Sequence, residues 1–144
     1  MAEHFYFGGC DTVDLAREFG TPLYVVSLDE IRARIREVRS AFDEKYERAH
    51  THYASKAFLT KDMIRVVKAE NMGLDVVSGG ELHGAMSLGF PPERIMFHGN
   101  NKTPAEIAMG LDYGVGRFVC DSTGEIELID RMAGERGTTA HILI

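Results

Sequence analysis

The stretch His52-Tyr53-Ala54-Ser55-Lys56-Ala57-Phe58 decides how this chain reads. Its first half is apolar and β-prone, and the lysine ends it just before a helix is expected to begin. A free lysine amine has a pKa of ~10.4 and ordinarily stays solvated. At the carboxyl end of a buried strand it calls for a reason, and the commonest chemical one is imine formation with a carbonyl. Without its neighbours, Lys56 reads better as a surface or salt-bridged lysine.

On either side, strands alternate with helices. The spacing predicts strands at 23–26, 50–55, 75–78, 95–97, 117–120 and 140–144, and helices at 29–46, 61–70, 81–88, 104–112 and 123–134. Thr60, Thr103 and Ser122 or Thr123 stand where N-caps belong, and Gly73, Gly89, Gly114 and Gly137 stand where helices stop. Arg32, Arg34, Arg36 and Arg39 read as the wet face of the first long helix. The alternation implies a parallel sheet. Lys56, Ser78, His98 and Asp121 follow successive strands at separations of 22, 20 and 23 positions. Ligand sites of such folds collect at the carboxyl ends of the strands, so these four face one rim.

A doubly wound sheet and a (β/α)8 barrel both satisfy this pattern. A full barrel takes roughly 200 to 250 residues, so on the barrel reading these 144 residues are its first half. Residues 1–27 then form an amino-terminal segment with a leading strand, and 28–144 the first part of the barrel domain.

Composition narrows the function classes. With 44% hydrophobic and 26% charged residues the chain has the make-up of a globular protein. A net charge of -6 argues against a general nucleic-acid binder, which needs a basic face. No apolar run approaches the ~20 residues of a membrane helix, and no basic-then-apolar leader precedes His4-Phe5-Tyr6-Phe7, so the expected location is the cytoplasm. Cys10 and Cys120 show no metal-type spacing and read as reduced thiols; no metal site is expected. The methionines read as core filling.

Four collinear segments carry a family resemblance. Tyr53-Ala54-Ser55-Lys56-Ala57-Phe58 resembles the pyridoxal-phosphate lysine motif of the fold-type III decarboxylases, which share the barrel of alanine racemase. Gly73 to Leu82, Phe90 to Lys102 and Gly114 to Ser122 resemble the family's next three strand motifs. His98-Gly99-Asn100-Asn101-Lys102, Phe7-Gly8-Gly9-Cys10 and Gly20-Thr21-Pro22-Leu23-Tyr24-Val25 are similar to the diaminopimelate branch. The resemblance implies an α/β chain forming the first half of a pyridoxal-phosphate-binding barrel. It further implies decarboxylation of meso-2,6-diaminopimelate to L-lysine and carbon dioxide, with a homodimer at full length.

The same resemblance makes Lys56 the covalent anchor of pyridoxal 5'-phosphate and a proton-transfer group. Asp75 either pairs with or orients that lysine, or makes backbone hydrogen bonds at a strand start. His98 either lies near the cofactor or is a satisfied strand-end histidine; the family's ring-stacking histidine belongs beyond Ile144, with the phosphate loop, the acidic partner of the pyridine nitrogen and the substrate-reading arginines. Ser78, Gly79 and Gly80 read as a helix cap or a close approach to the cofactor. Asn100 and Lys102 read equally as rim or solvated loop. Three alternatives stay open: an ornithine- or arginine-type decarboxylase, a non-catalytic pyridoxal-phosphate carrier, and a truncated, partner-dependent piece inactive alone.

Overall fold

The computed structural model describes residues 4–144. A hairpin opens it, β1 (Tyr6–Phe7) pairing antiparallel with β2 (Cys10–Asp11) through Gly8 and Gly9, both at positive φ. Helix α1 (Thr12–Phe19) follows, capped by the Asp11 carboxylate, which accepts from the Val13 amide at 2.8 Å. The apolar spacing foreshadows neither the hairpin nor α1. The leading strand expected at 23–26 does not form: residues 23–27 carry no regular structure, and Tyr24 is 98% exposed. A β-prone run becomes a strand only beside a ladder partner, and among the described residues this run has none.

Helix α2 (Leu28–Ala41) leads to five parallel strands: β3 (His52–Ala54), β4 (Gly73–Val76), β5 (Ile95–Phe97), β6 (Arg117–Val119) and β7 (Ile142–Leu143). Between them run α3 (Lys61–Ala69), α4 (Gly79–Ser87), α5 (Pro104–Tyr113) and α6 (Thr123–Glu135). Doubly wound sheets reverse their strand order at a switch point. Here the order is β3-β4-β5-β6-β7, each strand added on the same side as the last. That is how a barrel wall grows, so the chain folds as an arc of a (β/α)8 barrel.

Alternation along the strands separates two faces. Leu74, Val76, Ile95, Phe97 and Phe118, at 0–1% exposure, meet Ile64, Val67, Leu82, Ile107 and Ile129 of the helices. Each such burial stabilises by about 1.5 to 3 kcal/mol, which makes this layer the core. The opposite face carries His52, Ala54, Asp75 and Met96, all half-buried, and is the inner wall of the arc.

The helix starts follow one rule. Ser78, Thr103 and Ser122 each accept from the amide three residues on, that of Glu81, Glu106 and Glu125. Each glutamate in turn accepts from a backbone amide at or just before its cap: Glu81 from Val77 at 2.6 Å, Glu106 from Thr103 itself at 2.9 Å, Glu125 from Asp121 at 3.0 Å. Gly89, Gly114 and Gly137 take positive φ after α4, α5 and α6, as expected. Gly73 does not stop α3; Asn71 makes that turn at φ 58, and Gly73 opens β4 where a methyl would overlap the His52 ring.

The arginine face of α2 is only partly wet. Arg36 forks onto the Glu70 carboxylate with two bonds of 2.7 Å, and Arg39 donates to the Glu70 carbonyl at 2.7 Å, tying α2 to the end of α3.

Two glycines test the packing in opposite directions. A methyl at Gly116 would overlap the Glu93 carbonyl oxygen, whereas one at Gly134, inside α6, meets nothing within 4 Å. Gly116→Ala is expected to lose about 1 to 3 kcal/mol in urea unfolding, and Gly134→Ala to gain about 0.4 to 1 kcal/mol.

Candidate active site

Lys56 lies within a single 3₁₀ turn, Ser55–Ala57, that follows β3 directly, and its side chain is exposed at the rim. The Tyr53 hydroxyl donates to the Phe58 carbonyl at 2.7 Å, closing the backbone around the lysine. Ser55, buried beside it, has a hydroxyl without a hydrogen-bond partner.

Asp75 lies on the neighbouring strand, in register with Ala54 of β3 and Met96 of β5. Its Oδ1 is buried and makes no hydrogen bond. His98 follows β5, its amide donating to the Val76 carbonyl at 2.8 Å and its Nε2 lying 3.4 Å from Asp75 Oδ1. That separation is ion-pair range without hydrogen-bond geometry. Burial raises the Asp75 carboxyl above its ordinary value, against the opposing pull of the His98, His52 and Lys56 charges; Glu81 adds to the rise. The inner wall thus brings Lys56, Asp75 and His98 into one electrostatic neighbourhood.

His52 belongs to this group although its motif position did not single it out. It stands two residues before Ala54, hence on the same face, and burial lowers its imidazole pKa. Period-two alternation through the lysine motif was the available signal.

The remaining rim candidates fall outside the cluster. Ser78 caps α4, and the Gly79 amide donates to Glu106 Oε1 at 2.7 Å. Asp121 and Asn100 are exposed. Lys102 is neither rim-lining nor solvated: it is 9% exposed, and its Nζ donates to the carbonyls of Gly99 at 2.6 Å and Val119 at 2.7 Å. Cys120 is buried and Cys10 exposed. Among the described residues no cluster of His, Cys, Asp and Glu suits a metal ion, and no helix is long and apolar enough to cross a membrane.

An exposed lysine at the carboxyl-end rim of a barrel arc, with a partly buried carboxyl on the neighbouring strand, defines a β/α-barrel protein with an amine-bearing site. Residues 13–144 match the family described as pyridoxal-dependent decarboxylase, pyridoxal binding domain, and the chain belongs to that family. It is 46% identical over 141 residues to the diaminopimelate decarboxylase of Bacillus methanolicus, covering 98% of this chain and 33% of that protein. It superposes with a TM-score of 0.89 on the diaminopimelate decarboxylase of M. jannaschii crystallised with L-lysine, at 38% identity over 96% of this chain and 33% of that one. The lysine/ornithine decarboxylase of Vibrio vulnificus, complexed with cadaverine, gives 0.78 at 26% identity, covering 92% and 34%. The chain spans about a third of the length of the curated relatives it matches.

The raised Asp75 carboxyl carries a pH signature. A carboxyl whose folded pKa is raised contributes stability that is full below its ordinary 3.8 and is lost as pH rises through the folded value. Asp75→Asn, neutral throughout, is expected to have a higher urea midpoint than the parent chain at pH 7.5, with the advantage disappearing towards pH 4. An equal advantage at both pH values would sink the desolvation account.

Proposed function

We propose that this chain carries the lysine of a pyridoxal-phosphate-dependent decarboxylase that converts meso-2,6-diaminopimelate to L-lysine and carbon dioxide, in the cytoplasm and as a homodimer of the whole protein. Residues 28–144 make the first part of its barrel, and 1–27 an amino-terminal segment. The observation that carries the reading is the exposed Lys56 at the rim, in the turn after β3, with the unbonded Asp75 carboxylate oxygen on the neighbouring strand. The higher identity and TM-score of the diaminopimelate enzyme, against those of the lysine/ornithine enzyme, favour the substrate.

Pyridoxal phosphate supplies, when bound, a conjugated ring that takes up the electron pair left when the carboxylate departs. Lys56 would hold it through Nζ and would serve to move a proton at that atom. Asp75 Oδ1, which makes no hydrogen bond, would be free to accept from and orient the Lys56 amine, and a charged amine would relieve the desolvation of the carboxylate. His98 flanks the same oxygen and completes the cofactor-binding set. Lys68 and Lys102 are poor alternatives, since their amines already donate to Leu88, Gly99 and Val119 carbonyls.

The rim fits the aldehyde better than the phosphate. The amides of Val77, Gly79, Thr103 and Asp121 are taken by Glu81, Glu106 and Glu125, so these helix starts present carboxylates where a phosphate would need donors. Each missing charge-assisted bond weakens cofactor affinity by about tenfold or more. The 144-residue polypeptide alone is accordingly expected to bind pyridoxal phosphate weakly and to release no measurable carbon dioxide from diaminopimelate.

Borohydride reduction with pyridoxal phosphate, followed by peptide mapping, tests the anchor. The reduced adduct is expected on Lys56 and absent from a folded Lys56→Ala variant; an adduct on Lys61, Lys68 or Lys102 instead would overturn the assignment.

A further inference from the structure

Lys102 is a buried lysine that the proposed chemistry does not use, and its surroundings are built. Its side chain is 1% exposed. Besides the Gly99 and Val119 carbonyls, Nζ lies 2.8 Å from Glu125 Oε1, an ion pair whose angle falls outside hydrogen-bond geometry, while Glu125 Oε2 holds the Asp121 amide. The ammonium therefore joins three pieces: the turn after β5, the end of β6 and the start of α6.

Burying an ammonium is expensive, and an apolar side chain of similar size commonly serves packing as well or better. What an apolar side chain cannot do is hold two carbonyl oxygens at fixed positions. One of them belongs to Gly99, which follows His98 directly. Gly99 sits at φ +108, where a side chain is strained, and a methyl there would come within 3.0 Å of the Val77 carbonyl oxygen. The backbone that carries His98 is thus gripped on both sides, by Val76 at its amide and by Lys102 at the next carbonyl.

We propose that Lys102 is a positioning residue: its buried ammonium pins the 98–102 turn to the end of β6 and thereby fixes the His98 imidazole beside Asp75. The link to the reaction rests on the reading above, whereas the placement of His98 by Lys102 holds without it and is tested without cofactor.

The groups facing Asp75 are His52 and Lys56 from β3 and its turn, His98 from the end of β5, and Glu81 from α4. The His98 charge opposes the rise of the Asp75 carboxyl, so a displaced His98 leaves that carboxyl higher. In Lys102→Met/Glu125→Gln the ion pair becomes a neutral pair of similar shape, and the Asp121 amide keeps its acceptor. Carbon-13 NMR of the Asp75 side chain is expected to show its titration moving up by about half a pH unit or more in this variant. In a His98→Gln background the same pair of changes is expected to add nothing, because the effect runs through His98. An unmoved titration in the folded double variant, or an equal shift in the His98→Gln background, would overturn the proposal. The unmodified chain supplies a test independent of any variant: the Lys102 ammonium protons are expected to exchange slowly with water by nitrogen-15 NMR, and fast exchange would show that the pin does not exist. Borohydride mapping reads Lys56 alone, so failure of either idea is seen separately.

Discussion

The period of two in a parallel strand is the constraint on which the site depends. Ala54, Asp75 and Met96 share one level of the ladder, and His52, two residues before Ala54, shares their face. Leu74, Val76, Ile95 and Phe97 fill the alternate positions and are removed from water by the helices. A one-residue slip in β4 would exchange Asp75 for Leu74 or Val76, moving the carboxylate into the core and an aliphatic side chain to the inner wall. The apolar core therefore sets the register, and the register sets the chemistry.

The same economy governs the rim. Each of α4, α5 and α6 begins with a hydroxyl cap and a glutamate that folds back onto backbone amides. Glu106 also reaches across to Gly79, so the starts of α4 and α5 are stitched together, and these bonds hold its carboxyl below the usual range. A rim made rigid in this way has little left with which to bind an anion. On this part of the wall the capping network leaves the side chains of Lys56 and Asp75 unengaged.

How much of this was legible in the sequence follows from the range of each interaction. Caps and strand ends are local, so Thr60, Thr103 and Ser122 and the strand at 95–97 stand where their spacing puts them. Strand-end position put His98 on the rim with Lys56, whereas Asp75 was singled out only by family resemblance, because its neighbourhood with them is set by the non-local ladder register. The choice between barrel and doubly wound sheet depends on strand order, which no local pattern encodes. The strand expected at 23–26 failed for the same reason, since propensity is local and a partner is not. Lys102 reads as a loop residue because its partners Val119 and Glu125 lie on later elements; only the fold reveals a buried ammonium. Gly73 was misread as a helix stop because the demand for glycine comes from the ring of His52 across the ladder.

Asp75 shows how the fold's stability and the site's chemistry pull against each other. Its Oδ1 is buried without a hydrogen bond, so folding raises its carboxyl above the ordinary value, and ionising Asp75 costs more in the folded chain than in the unfolded one. Three cationic or potentially cationic groups on the same wall, His98, His52 and Lys56, offset that cost only in part. On the proposed reading, a carboxylate oxygen that no other group engages is free to accept from an amine that has to bind and release a carbonyl. A fully satisfied Asp75 would give a more stable sheet but would have no free oxygen to offer a neighbouring amine.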